Sequence, residues 1–306
     1  MEILDVASRE PSNLVQRGSR PARRNFEFGR TYVVRPQGKH QATIVWLHGL
    51  GDNGSSCSQL LENLPLPNIK WICPTAPTRP VALLGFDVGE ISEESPDDWE
   101  GLDASAVHVA NLLSTEPADV KVAIGGFSMG AATALYSATC AAFGRYGNGN
   151  AYPINLRAVV GLSGWLPGSR SLRSRVEGSH EAARRAASLP IFLCHGTSDD
   201  VVSYNYGEKS AHCLNTAGFR NLTFKSYEGL GHYTVPKEME ESSEFCLPHF
   251  PISGVSFLRF PHHSLDGRRG STLAFKPSYG NPTFVYIYTC SKRVINENLK
   301  MFEAVR

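Results

Sequence analysis

The chain has 306 residues, 42% hydrophobic and 19% charged, enough apolar material to bury a core and too ordered a balance for wholesale disorder. Thirty Lys and Arg against 29 Asp and Glu leave a net charge of +1, which excludes a strongly basic nucleic-acid binder. No run of about 18 apolar residues is present, so no hydrophobic membrane span is expected.

The opening Met1-Glu2-Ile3-Leu4-Asp5 has neither a basic stretch leading into an apolar one nor a glycine at the second position. No export signal and no N-myristoylation are expected from it. Residues 1–25 are polar, broken by Pro and Gly, and carry Arg17, Arg20, Arg23 and Arg24. They read as a flexible, solvated N-terminal tail. Glu2, Asp5 and Glu10 argue against a transit peptide.

From residue 29 to about 229, short and nearly continuous apolar runs alternate with helical patterns. The runs are Thr31–Val34, Ala42–Leu47, Ile69–Cys73, Lys121–Phe127, Ala158–Leu162, Ile191–Cys194 and Leu222–Tyr227. They suit strands of a parallel sheet buried on both faces. Ser95-Pro96-Asp97-Asp98 reads as an N-cap, a first-turn proline and early negative charge. Leu102, Ala106, Val109 and Leu113 then fall on one helical face. Ser128–Ala142 and Tyr204–Ala217 read as further helices. Strand and helix in alternation predict an α/β fold with a mostly parallel sheet covered on both sides. The domain is expected over 26–240. Residues 241–306 read as a poorly ordered C-terminal tail: Phe250–Gly280 holds no period, and one β-rich run follows at Thr283–Tyr288.

Seven single cysteines (Cys57, Cys73, Cys140, Cys194, Cys213, Cys246 and Cys290) are odd in number and lack C-x-x-C spacing. They read as reduced, structural thiols of a cytoplasmic protein. Cys194 stands at an apolar strand end, which favours burial over reactivity. His262-His263 has no further ligand cluster beside it, so no metal site is expected.

Chemistry concentrates at the ends of the predicted strands. Gly126-Phe127-Ser128-Met129-Gly130 is a G-x-S-x-G pattern between a strand and a helix of small residues, the context a nucleophile elbow needs. A serine hydroxyl requires a base, and the base an orienting acid. In this fold they follow in the order Ser, acid, His. His195-Gly196-Thr197-Ser198-Asp199-Asp200 follows one apolar run and Tyr227-Glu228-Gly229-Leu230-Gly231-His232 follows the next. The assignment is Ser128 as nucleophile, His232 as base and Asp199 as orienter, with Asp200 its competitor. Oxyanion donors are expected from the Met129 N–H and from the Leu50 N–H of His48-Gly49-Leu50-Gly51-Asp52. Gly49-Leu50-Gly51-Asp52-Asn53-Gly54 also matches a dinucleotide fingerprint. The acid such a site wants about 20 residues on is absent from Ile72-Cys73-Pro74-Thr75-Ala76.

Taken together, His48–Asp52, Gly126–Gly130, His195–Asp199 and Tyr227–His232 resemble the acyl-protein thioesterase/carboxylesterase family of serine α/β-hydrolases, in wording closest to its plant branch. Ser163-Gly164-Trp165-Leu166-Pro167 and Pro74-Thr75-Ala76-Pro77 add to the likeness, which covers about 26–240. It implies cleavage of acyl thioesters or esters without a cofactor, including depalmitoylation of S-acylated proteins; the sequence shows no fixed membrane anchor, which leaves transient contact or reversible palmitoylation as the route to lipidated proteins. Trp165 reads either as a packed core residue or as one lining the substrate groove, and Leu83, in the shortened segment, is open in the same way. Three features depart from the family pattern. Met129 stands where many members have Gln. The segment between Leu84-Gly85 and Phe86-Asp87 is shortened. The apolar helix expected soon after Glu238-Met239 is replaced by an unrelated C-terminus. The last two motivate alternatives: a small-molecule carboxylesterase, or an inactive binding protein that keeps the triad.

Overall fold

The computed structural model describes residues 24–64, 66–78, 97–246, 255–263 and 269–277. Seven strands form the central sheet: β1 (Tyr32–Val34), β2 (Ala42–Leu47), β3 (Ile69–Cys73), β4 (Lys121–Phe127), β5 (Val159–Leu162), β6 (Ile191–Gly196) and β7 (Leu222–Tyr227). Their order is β1-β3-β2-β4-β5-β6-β7, parallel throughout except for β1, which runs antiparallel on β3. Each apolar run of the sequence is a strand here: β2 to β6 are largely buried because both faces of the sheet are covered, whereas the edge strands β1 and β7 mix half-buried with exposed residues.

The alternation sorts the core. Val45, Ile124, Val159 and Ile191 point to one side, where α2 (Trp99–Ser114), α3 (Met129–Phe143), α4 (Ser169–Glu177), α5 (His180–Ser188) and α6 (Tyr204–Thr216) contribute Val109, Leu135, Val176, Ala186 and Leu214. Ile44, Trp46, Val160 and Phe192 point to the other, against α1 (Gly54–Glu62) and α7 (Pro236–Cys246). This is the α/β-hydrolase arrangement expected from the sequence. No helix among the described residues is long and apolar enough to cross a membrane.

Four differences from expectation have physical causes. The cap of α2 is Asp98, whose carboxylate accepts the Gly101 N–H, so the helix starts after the predicted Ser95-Pro96. Those two residues lie outside the described ones, as do Leu83, the Leu84–Asp87 segment, residues 1–23 and Thr283–Tyr288. Helices α4 and α5 went unread because each buries only two side chains, Leu172 with Val176 and Ala182 with Ala186, amid Arg and Ser. The terminal helix is not lost: α7 crosses the expected boundary at 240, buries Met239 and Cys246, and sets Phe245 against Phe192 with ring centroids 5.3 Å apart. Its Glu- and Ser-rich wording hid that face. Finally, β8 (Val255–His263) and β9 (Arg269–Pro277) form a separate antiparallel pair, in register from Val255 opposite Pro277 to His263 opposite Arg269. Pro261 and the scattered His and Arg had concealed the strand period.

Candidate active site

The site is built at the carboxyl ends of β4, β6 and β7, joined to the loops after β2 and β5. Ser128 occupies the turn from β4 into α3 with φ 55° and ψ −121°, a conformation that costs a non-glycine residue about 1–3 kcal/mol. Two backbone bonds hold it there: its N–H donates to the Leu162 carbonyl at 2.8 Å, and its carbonyl accepts the Ala132 N–H at 3.0 Å. The turn also needs Gly130. A Cβ at that position would lie 2.2 Å from the Leu47 carbonyl oxygen, so any side chain would push α3 away from β2.

His232 follows β7 on a loop laced to the loop after β6. Thr197 N–H donates to Tyr227 O at 2.9 Å, Ser198 N–H to Leu230 O at 3.0 Å, and Gly229 N–H to Thr197 Oγ1 at 2.9 Å. That lacing brings His232 Nε2 to 3.0 Å from Ser128 Oγ and its Nδ1 to 2.8 Å from Asp199 Oδ2. The Phe127 ring stands beside the imidazole, 4.8 Å between centroids. With Nδ1–H donating to the carboxylate, Nε2 is left to accept the serine proton.

Asp199 is buried, whereas Asp200, the competing acid of the sequence, is exposed. Asp199 Oδ1 accepts the N–H groups of Val201 at 3.0 Å and Val202 at 2.8 Å. Oδ2 accepts from His232 and lies 3.3 Å from Nε2 of the buried His195, which also bonds the Val202 carbonyl at 2.7 Å. Burial alone would raise the acid's pKa. The bonds from His195, His232 and Val202, with the nearby His232 charge, outweigh it and hold the carboxyl well below its usual range.

The sequence offers His195 only as the first residue of the motif that carries Asp199. The H-G-x-x-D spacing was the available signal, but it does not say which atoms the ring bonds. Ser163 was likewise missed: it has φ 48°, is fully buried, and donates its N–H to Cys194 O at 2.9 Å. Its hydroxyl has no hydrogen-bond partner among the described residues. Trp165 follows at the end of β5, half-buried. Met129 follows Ser128 directly and Leu50 stands on the loop after β2, and both residues are exposed, at 36% and 50%.

Cys194 is buried and donates its S–H to Glu238 Oε1 at 2.9 Å, and burial holds its thiol far above the reactive range. Among the described residues no group of three or more His, Cys, Asp or Glu converges to hold a metal. The glycine-rich loop before α1 is a poor phosphate cradle, because Asn53 Oδ1 already takes the Ser55 and Ser56 N–H groups that a pyrophosphate would need.

The phospholipase/carboxylesterase family profile matches residues 29–249. The crystal structure of Zea mays acyl-protein thioesterase 2 is similar at TM-score 0.70 and 65% identity, over 72% of this chain and 99% of that one. That of Arabidopsis thaliana SOBER1 is similar at TM-score 0.54 and 29% identity, over 68% and 99%. Acyl-protein thioesterase 1 of Yarrowia lipolytica is 32% identical over 211 residues, 63% of this chain and 85% of its own length.

Proposed function

The chain belongs to the phospholipase/carboxylesterase family and is a serine hydrolase, and from that premise we propose that it removes acyl groups held in thioester linkage on proteins, depalmitoylation among them, through Ser128, His232 and Asp199. The observation that carries the reading is the single imidazole bonded at once to Ser128 Oγ and to Asp199. The thioester preference draws on the relatives named acyl-protein thioesterases.

In this scheme Ser128 Oγ forms a bond to the acyl carbon as its proton passes to His232 Nε2, while Asp199 keeps Nδ1 protonated and stabilises the imidazolium. The tetrahedral oxyanion sits between the Leu50 and Met129 N–H groups, at the positive end of α3. Its collapse breaks the carbon–sulfur bond, and the thiolate leaves with the proton from His232. Water then attacks the acyl-serine, giving its proton to His232, and the carboxylic acid departs as Ser128 recovers its hydrogen. The alternative of an inert acyl-binding protein drew on the shortened segment at 84–87, which lies outside the described residues, and on a sheet face left uncovered, which α7 covers.

The test is labelling by a fluorophosphonate probe, followed by hydrolysis of matched thioesters and oxygen esters of increasing chain length, with Ser128→Ala alongside. Labelling and turnover are expected in the parent and absent from the variant, with long-chain thioesters preferred. Turnover retained in Ser128→Ala defeats the mechanism. Preference for short oxygen esters replaces the substrate class with small esters.

A further inference from the structure

The loop after β2 begins with His48, and both of its ring nitrogens are engaged. Nδ1 lies 2.7 Å from the Gly49 carbonyl oxygen, and Nε2 lies 3.0 Å from the Ala76 backbone nitrogen. A carbonyl only accepts and an amide N–H only donates, so Nδ1 carries the proton and Nε2 is the acceptor. The two bonds select one neutral tautomer.

The Gly49 carbonyl shares a planar trans peptide with the Leu50 N–H, and in such a unit the two dipoles point in opposite directions. Fixing the oxygen therefore aims the donor. The same oxygen receives the Asp52 N–H at 3.4 Å across a turn in which Gly51 has φ 80°. No acceptor takes the Leu50 N–H among the described residues. Gly49 is pressed against the nucleophile, since a Cβ there would lie 3.2 Å from Ser128 Cβ.

The loop after β3, which His48 grips through Ala76, is itself anchored. Thr75 Oγ1 donates to Arg30 O at 2.7 Å and accepts the Gly54 N–H at 3.0 Å, and Thr75 O accepts the Gly29 N–H at 3.0 Å.

We propose that His48 is a positioning residue for the acyl-transfer step, its Nδ1–H holding the Gly49–Leu50 peptide so that the Leu50 N–H faces the acyl oxygen on Ser128. Its Nε2 ties that peptide to the anchored loop after β3. A donor held in place before charge develops needs no reorganisation during the reaction, whereas a loose one does. The inference rests on the serine-hydrolase mechanism and adds to it a side chain that touches neither substrate nor nucleophile.

Three variants separate the bonds. His48→Asn keeps a donor where Nδ1 stands, His48→Gln keeps an acceptor near Nε2 without that donor, and His48→Ala keeps neither. Each is melted, titrated for active sites with a fluorophosphonate, and assayed on a thioester. Each is also assayed against a trifluoromethyl ketone, to whose carbonyl Ser128 Oγ adds, passing its proton to His232 and leaving an oxyanion on the ketone oxygen.

In the alanine and glutamine variants kcat per active site is expected to fall about 10²-fold, as for a lost oxyanion donor, with KM little changed. Ketone affinity should weaken by the same factor. His48→Asn should stay within about tenfold of the parent in both readouts. A merely structural role would lower the active fraction and leave this split unmoved. Parent-like kcat in His48→Ala, or His48→Asn as slow as His48→Ala, overturns the inference while the serine mechanism stands. Turnover in Ser128→Ala overturns both. If the alanine variant does not melt cooperatively, the contrast between the asparagine and glutamine variants carries the same decision.

Discussion

Asp199 shows what the site demands of one residue. Its carboxylate is enclosed by two backbone N–H groups and two imidazoles, and these donors keep it ionised despite burial. Its folded pKa lies below the unfolded value of about 3.9, so its contribution to stability is complete above about pH 4 and is lost as pH falls through the folded value. Asp199 should therefore add no ionisation of its own to the profile of kcat/KM above about pH 4, and a limb steeper than unit slope in that range would contradict this. Asp199→Asn should lower turnover by about 10⁴, and its deficit in Tm should be constant from pH 8 to 5 and narrow below about pH 4. Ser128, Asp199 and His232 were legible in the sequence because each stands in a short motif just past an apolar run. His48 and His195 stand in the same motifs, yet their bonds were not legible. A motif fixes the order of residues along the chain, whereas the partners of a ring nitrogen depend on loops brought in from elsewhere: Ala76 for His48, the Val202 carbonyl for His195.

Among the elements, α7 departs furthest from what its wording suggests. Two of its glutamates face inward. Glu241 accepts from Lys225 Nζ at 2.8 Å and from the Tyr227 hydroxyl, tying the helix to β7. Glu238 is fully buried against Cys194, with Oε2 unpartnered among the described residues. Burial raises its pKa more than Cys194, the Val235 backbone and His195 lower it. A raised folded value stabilises below the unfolded pKa of about 4.3 and loses that contribution as pH rises through the folded value. Glu238→Gln keeps an acceptor for the Cys194 thiol and removes the ionisation. It should melt about 2 °C above the parent at pH 8 and level with it at pH 4, and a lower melting point at pH 8 would count against this account. The inner strands β2 to β6 could be read because burial on both faces leaves continuous apolar runs. In α4 and α5 the buried stripe is only two residues, set among Arg and Ser, and in α7 the buried Met239 and Cys246 stand in a run of glutamates and serines, so polar residues dominate each pattern.

At the scale of the molecule, the strand order collects residues distant in sequence at the carboxyl ends of the strands, and α7 packs on one face of the same sheet. The β8–β9 pair makes its own two-stranded sheet, a unit of marginal stability by itself. A chain ending at residue 249, where the family match stops, is expected to melt cooperatively and keep Ser128-dependent turnover. One ending at residue 235 loses Met239, Phe245 and Cys246 from the core, a loss of several kcal/mol, and should aggregate or melt far lower. Thermal melts and probe labelling of the two truncations check both statements. The separation of the triad along the chain also has a temporal side. His232 lies 104 positions after Ser128, and the hydroxyl meets its base only when β7 has joined β6. At ribosomal speeds of about 5–20 residues per second, a nascent chain carries the serine for about 5–20 s before its base exists. Until then the polypeptide has no assembled triad, and reactivity arrives only with the last strand of the sheet.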